Sequence, residues 1–403
     1  MRFCVAGALG AFLIILSNQV VAADNADLIA RSVQGEHLIM ARDYGAALTL
    51  FRQLLQDYPD SPAGAFGEMA LWQTRMFENR DFRFTKQYDA AENKMTALCD
   101  ARLRGNRQPH SGGEGEAPPA LPVEGATQAP ITSGPTDWDM FVCGSGFGMK
   151  GFFDARRDKW LQGLGGAIRS MRTYKRLMWL NPNFVDAEMG VGMYEFWRSV
   201  VTQRFRWLPF FSDQRATGMA KVEKVMHDGK YVQDLARANL AYMQMEMKQY
   251  DQAIATLNVL TAKYPRNVLT RQALGEIAWF QKRYQDCYDI FAQLFAQDPE
   301  LTRSLYWMAT SSLMPYVKSD ASGVPLAGAK IPDDIAVRAK DQLNMYLRSH
   351  PIQIWSSASH YWLGVIAEWQ GDRATAIVEY EKALKLDKNG AKDIKTRLAR
   401  LGA

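Results

Sequence analysis

Between residues 26 and 401, apolar side chains return every three or four positions, in runs long enough for several helical turns. No stretch alternates apolar and polar residues over several turns, so the pattern predicts helices and essentially no sheet. Breaks at Gly, Pro and Asn divide the runs into eight helix pairs: 26–59, 62–103, 138–181, 184–229, 232–264, 268–298, 301–349 and 353–387. A last short helix, 391–401, is rich in Lys and Arg and is expected to cap the apolar end. Two segments interrupt the pattern. Residues 105–136 carry Gly, Pro, Ser and Glu with almost no large apolar side chain, which predicts a flexible insert. Lys318 to Pro332 reads as a loop inside one hairpin.

The runs repeat. Arg237, Leu240, Ala241, Tyr250, Ala253, Leu257, Leu260 and Pro265 map onto Arg271, Leu274, Gly275, Tyr284, Cys287, Phe291, Leu294 and Pro299, each pair 34 residues apart. The intervals recur in Gly35, Tyr44, Ala47, Phe51, Leu54 and Pro59. They recur again in Gly364, Ala376, Tyr380 and Ala383, where Arg373 and Lys388 replace the Tyr and the Pro. On these residues the chain resembles the tetratricopeptide repeat (TPR) family, whose period is about 34 residues. The resemblance is strong over 231–300, good over 26–60 and 353–388, and degraded between. It implies an all-α, TPR-like α-solenoid, a right-handed superhelix of antiparallel helix pairs in which each unit buries its apolar face against the next. The segment Gly190-Val-Gly192 to Trp197, then Trp207-Leu-Pro-Phe-Phe211 and Asp213-Gln-Arg215-Ala-Thr-Gly218, resembles the family of the Iml2 and tetratricopeptide-repeat-39 proteins. That likeness implies architecture and an interaction role more than an activity.

Residues 1–23 read as a signal peptide. Arg2 begins it, Val5 to Leu16 form an apolar core, and Val20-Val21-Ala22-Ala23 offers small residues for cleavage after Ala22 or Ala23. The expected location is periplasmic or secreted, a retained anchor being the alternative. No later segment is apolar enough to span a membrane, so no transmembrane segment is expected after cleavage. The expected organisation is 24–104, N-terminal TPR-like pairs; 105–136, insert; 137–230, divergent pairs; 231–300, two regular units; and 301–403, C-terminal units with the capping helix.

A net charge of +5 over 403 residues is mild, and with export it argues against nucleic acid as partner. Cys99, Cys143 and Cys287 follow the leader. Cys99 and Cys143 flank the insert, and export would put them where a disulfide persists, two buried thiols being the alternative.

Candidate chemistry is thin. Gly144-Ser-Gly146-Phe-Gly148-Met-Lys-Gly151 lacks the preceding strand of a phosphate loop and reads as a helix packed through small residues. The five histidines, His37, His110, His227, His350 and His360, show no metal-ligand spacing. Cys287 stands where other units place Ala47, Ala253 and Ala376, as a small apolar filler. No catalytic residue, metal or cofactor is expected, and the chain is not expected to be an enzyme. Arg156, Arg157, Lys159, Arg169, Arg172, Lys175 and Arg176 form a basic cluster, of which Arg169, Arg172 and Arg176 share a helical face. It is either a solvated outer face or a site for an acidic partner, an anionic envelope polymer or a membrane surface.

The expected function is therefore an exported scaffold that holds a protein or peptide of unknown identity in its concave groove, with peripheral envelope association as an alternative. In TPR proteins the first helix of each unit lines the groove. That resemblance places Tyr242, Met245, Glu246, Gln272, Glu276, Trp279, Tyr361, Val365, Glu368 and Trp369 on the lining. Aromatic faces would bring contact area and carboxylates would orient a basic or amide-rich peptide. Trp279 and Trp369 equally suit packing between helices.

Overall fold

A computed structural model describes residues 25–104, 134–202, 212–317, 331–387 and 391–402. The leader, most of the insert, and most of the Lys318–Pro332 loop lie outside them. Among the described residues there is no strand. The helices are α1 (25–40), α2 (Tyr44–Asp57), α3 (Ala63–Asn79), α4 (Thr85–Arg104), α5 (Asp137–Arg156), α6 (Trp160–Leu180), α7 (Ala187–Val201), α8 (Arg215–Asp228) and α9 (Gln233–Glu246). They continue with α10 (Tyr250–Lys263), α11 (Val268–Phe280), α12 (Tyr284–Gln297), α13 (Arg303–Leu313), α14 (Asp333–Arg348), α15 (Gln353–Trp369), α16 (Arg373–Leu386) and α17 (Ala391–Leu401). A 3-10 turn, Met314–Tyr316, extends α13. Each pair expected from the apolar periodicity is present, with ends moved by a few residues.

The repeat has a packing cause. Phe51, Phe291 and Tyr380 each stand 16 residues after a glycine, and each ring fills the space that glycine leaves. A Cβ on Gly35 would lie 2.3 Å from Phe51, one on Gly275 2.6 Å from Phe291, and one on Gly364 2.7 Å from Tyr380. Where Ala241 replaces the glycine, the smaller Leu257 replaces the ring. In the divergent pairs the helices approach through backbone instead. A Cβ on Gly151 would sit 2.7 Å from the Gly163 carbonyl oxygen, and one on Gly192 2.6 Å from that of Gly218. The Gly144–Gly151 run is thus helical and spent on packing.

Six of the turns within pairs share one geometry among the described residues. Arg42, Arg80, Asp158, Lys248, Lys282 and Gly371 all have positive φ, between 55° and 76°. The next residue donates its N–H five positions back, as Asp43 to the Leu38 carbonyl (2.8 Å), Gln249 to Gln244 (2.8 Å) and Arg283 to Ala278 (2.8 Å). This is a Schellman motif, which satisfies carbonyls that the helix end leaves open. Only Gly371 carries the residue that favours it.

The chain forms two units, and they do not follow chain order. Among the described residues, one comprises those up to Trp72 and from Lys86 to Met243; the other comprises Gln73–Thr85 with those from Gln244 onward. The tip of the α3–α4 hairpin therefore belongs with the C-terminal helices. In that second unit Phe291, Trp307, Tyr346, Trp362 and Tyr380 head a continuous apolar core.

Candidate partner-binding surface

α11 does not present the lining expected of it. Gln272 is only 1% exposed. Its Nε2 donates to the Glu78 carbonyl at 2.8 Å, and its Oε1 accepts from Arg303 Nη1 at 2.7 Å. Glu276 pairs with the other guanidinium nitrogen of Arg303, which is itself buried. Asn79 Nδ2 donates to the Glu300 carbonyl (2.8 Å), the Ile352 N–H donates to the Arg80 carbonyl (3.0 Å), and the Arg303 guanidinium lies over the Trp355 ring (5.0 Å). The face of α11 that would meet a ligand meets residues 73–85 of the same chain. Gln272 and Glu276 are corrected from ligand contacts to internal ones. Buried polar groups need partners, and here the chain supplies them to the Gln272 amide and to both Nη atoms of Arg303.

α15 is consumed in the same way, by the capping helix. Val365 is fully buried, so it does not line an open groove. Tyr361 donates to Asp393 Oδ2 (2.7 Å). Glu368 accepts from Arg397 Nη1 (2.8 Å) and Tyr380 Oη (2.7 Å), and it also pairs with Arg400. Arg397 is 1% exposed. Burial alone would lower its pKa, but the surrounding Tyr361, Tyr380, Asp393 and Glu368 hold it above its ordinary value. Burial raises the Tyr361 and Tyr380 hydroxyls well above the usual tyrosine range, so both stay protonated and donate. The basic residues of α17 close an acidic, aromatic face rather than only shielding an apolar one.

What remains accessible is smaller. Tyr242 and Met245 are half-buried and Glu246 is exposed. Trp279 is half-buried against Trp307 (5.7 Å), Tyr284 (6.2 Å) and Phe280 (5.6 Å), so it is largely a packing residue. Trp369 is partly buried against the core. Phe280, absent from the expected lining, is 48% exposed and stacks on Tyr250 at 6.1 Å. The 34-residue register could have found it, since it stands at the position of the exposed Glu246.

The basic cluster separates. Arg169 pairs with Asp100 on α4 and sits 3.7 Å over the Phe147 ring, so it is not a free outward cation. Arg157 binds Asp89 and Asp154 at 3.0 Å. Arg172 and Lys175 are exposed and Arg176 is half-buried. Cys99 and Cys143 are bridged, both fully buried, joining α4 to α5. Cys287 is a buried free thiol whose pKa burial pushes up to about 12, so it stays protonated and unreactive. Among the described residues no cluster of His, Cys, Asp and Glu could hold a metal ion, and no helix is long and apolar enough to cross a membrane.

A model of the tetratricopeptide repeat matches residues 35–61 and 239–267. No curated protein matches the sequence. Among solved structures, that of the APC/C hetero-tetramer Cut9–Hcn1 superposes with a TM-score of 0.55 at 12% identity, over 91% of this chain and 54% of that one. The chain thus spans about half the length of that relative. Pseudomonas aeruginosa PilF aligns with a TM-score of 0.42 at 13% identity, over 65% of this chain and 99% of that one. PilW, a type IV pilus biogenesis factor, gives 0.40 at 10%, over 63% and 98%. The chain carries tetratricopeptide repeats in an all-α, TPR-like solenoid, a fold that typically binds protein partners and is typically non-catalytic.

Proposed function

We propose that the protein is an exported scaffold of the bacterial cell envelope that binds a protein or peptide partner. The observation that carries the reading is the pair of TPR matches at 35–61 and 239–267 within helices whose packing repeats the same intervals. The apolar segment at residues 5–16 supports export as a cleaved leader, and the Cys99–Cys143 bridge suits an oxidising compartment. The likeness of Gly190–Gly218 to the Iml2 and tetratricopeptide-repeat-39 family supports an interaction role.

The docking surface is centred on Met245, Glu246 and Phe280, with Tyr250 stacked on Phe280 and the edge of Trp279 beside it. An exposed aromatic pair gives contact area at little entropic cost, and Glu246 favours a basic or amide-rich segment. A photocrosslinker at position 280, in cells fractionated for the envelope, tests this. A discrete adduct from 280, absent from the exposed position 252, is expected. Equal adducts from both positions, or none from 280, reject the surface.

A further inference from the structure

α6 is inside out for a solvated helix. Its inward side is ordinary: Gly163, Ser170, Met171, Thr173, Tyr174 and Leu177 are buried. Its outward side carries Leu161 at 87% exposed, Trp179 at 65%, Trp160 at 64%, Leu164 at 55% and Ile168 at 37%. At 100° per residue these side chains fall within roughly one third of the helix circumference. Arg172 and Lys175 share that arc, and both are exposed. The 21 residues of α6 include no Asp or Glu, in a chain that has 43 of them. Scattered apolar residues on a surface need no explanation, but Trp160, Leu161, Leu164 and Ile168 clustered on one face of the first turns, with Trp179 in the same direction at the far end, do.

We propose that the outward face of α6 binds the surface of an anionic lipid bilayer, with the helix lying in the plane of the headgroups. The stripe runs from Trp160 to Trp179, about 28 Å along the helix axis. Tryptophans at its two ends suit the polar–apolar boundary, where an indole keeps its N–H in the headgroups. Leu161, Leu164 and Ile168 between them would enter the acyl boundary, and Arg172 and Lys175 can extend their stems past this layer to lipid phosphates. The helix cannot insert further, because its opposite face is packed against α5 through Gly151, Gly163 and Gly166.

Charge chooses among occupants. A two-fold pairing of α6 with a second copy would gather four cations, Arg172 and Lys175 from each chain, in one interface with no carboxylate on either helix to neutralise them. A carbohydrate polyanion would use the cations but leave five large apolar side chains in water. A bilayer containing anionic lipid satisfies both halves of the face. This surface lies on a different helix from the Met245–Phe280 patch, and it stands or falls independently of the scaffold reading.

The test is co-sedimentation of the full chain with vesicles of phosphatidylcholine alone, or with about one third phosphatidylglycerol. Leu164→Asp with Ile168→Asp, and separately Arg172→Glu with Lys175→Glu, are compared with the wild type. All four positions are exposed or near it, and circular dichroism melting checks that each variant stays folded. Any binding through residues 5–16 is common to the three proteins, so the difference reads α6. The expected result is binding to the mixed vesicles that falls with salt, weakened about tenfold or more by either double substitution. Equal sedimentation of wild type and variants overturns the proposal. So does a wild-type dimer, seen by sedimentation velocity, that the Asp substitutions dissociate, or a protein partner captured through this face in the absence of lipid.

Discussion

Gln272 Oε1 lies 2.7 Å from Arg303 Nη1, while Gln272 Nε2 donates to the Glu78 carbonyl 194 residues away in sequence. One amide thus ties the buried guanidinium of α13 to the tip of the α3–α4 hairpin. Arg303→Met removes the charge and leaves Glu276 without its partner, and breaking such a buried pair costs about 3–5 kcal/mol. Gln272→Ala should cost less, about 1–3 kcal/mol, because it strands a neutral donor's partner and only one bond to Arg303. Urea unfolding of both variants measures the order. A milder effect from Arg303→Met than from Gln272→Ala would contradict it.

The turns make a prediction in the stabilising direction. Lys248 and Lys282 hold φ of 59° and 62°, where a side chain is crowded and glycine is not. Lys248→Gly and Lys282→Gly should each raise stability by about 0.5–1 kcal/mol, and Gly371→Ala should lower it by about 1 kcal/mol. Thermal melts of the three variants check both signs together.

The Cys99–Cys143 bridge spans 44 residues and encloses the 105–133 segment. Chain-entropy reasoning gives about 4 kcal/mol for a loop of that length. Reduction, or Cys99→Ser with Cys143→Ser, should lower the melting temperature markedly, and intact mass after alkylation in denaturant should show one modified thiol beyond the leader. Two or three modified thiols without reductant would remove the bridge. Cys287 should resist alkylation in the folded protein. Its folded pKa of about 12 exceeds the ordinary 9.0, so its contribution to stability is complete below pH 9 and declines as pH rises through that interval.

Acid should loosen the C-terminal pair. Burial raises the Glu379 pKa, but hydrogen bonds from His360 Nδ1 and Lys382 Nζ, each at 2.6 Å, outweigh it and hold the carboxyl below its ordinary 4.5. A depressed acid stabilises the fold above the unfolded value, and that contribution disappears as pH falls through the folded pKa. Denaturation midpoints measured from pH 6 down to pH 3 should therefore fall more steeply in the wild type than in Glu379→Gln. Parallel curves would show that Glu379 is not the group responsible.

Gly192 and Gly218 face each other, each Cβ position lying 2.6 Å or less from the other's carbonyl oxygen. Gly192→Ala forces α7 from α8 and should cost about 1–3 kcal/mol, whereas Gly165→Ala, with open space around it, should be neutral or slightly stabilising. Comparing the two by chemical denaturation separates the packing effect from helix propensity.

Local order was legible in the sequence because it depends on neighbours. The 3.6-residue periodicity located each helix, and the 34-residue register from Tyr250 and Pro265 to Tyr284 and Pro299 located the repeat. The recurrence of Gly35, Gly275 and Gly364 was legible too, but not that a ring 16 residues further on fills the space each leaves. The positive-φ turns were hidden, because Arg42, Lys248 and Lys282 adopt by tertiary constraint what glycine adopts by preference. The groove was hidden for a stronger reason. A residue's place on the first helix of a unit says which way it faces, not what it faces. Gln272 and Glu276 point where a ligand would lie, but Arg303 and residues 73–85 occupy that place. Glu368 points the same way and meets Arg397 from a helix 29 residues on. Sequence distance carries no information about which distant segment neutralises a buried charge. The same limit applied to α6, whose three arginines looked alike until Asp100 took Arg169 and left Arg172 on the outside among exposed leucines and tryptophans. Periodicity determined the helices and their pairing; long-range complementarity of charge and volume, which only the folded chain brings together, decided which faces stay open.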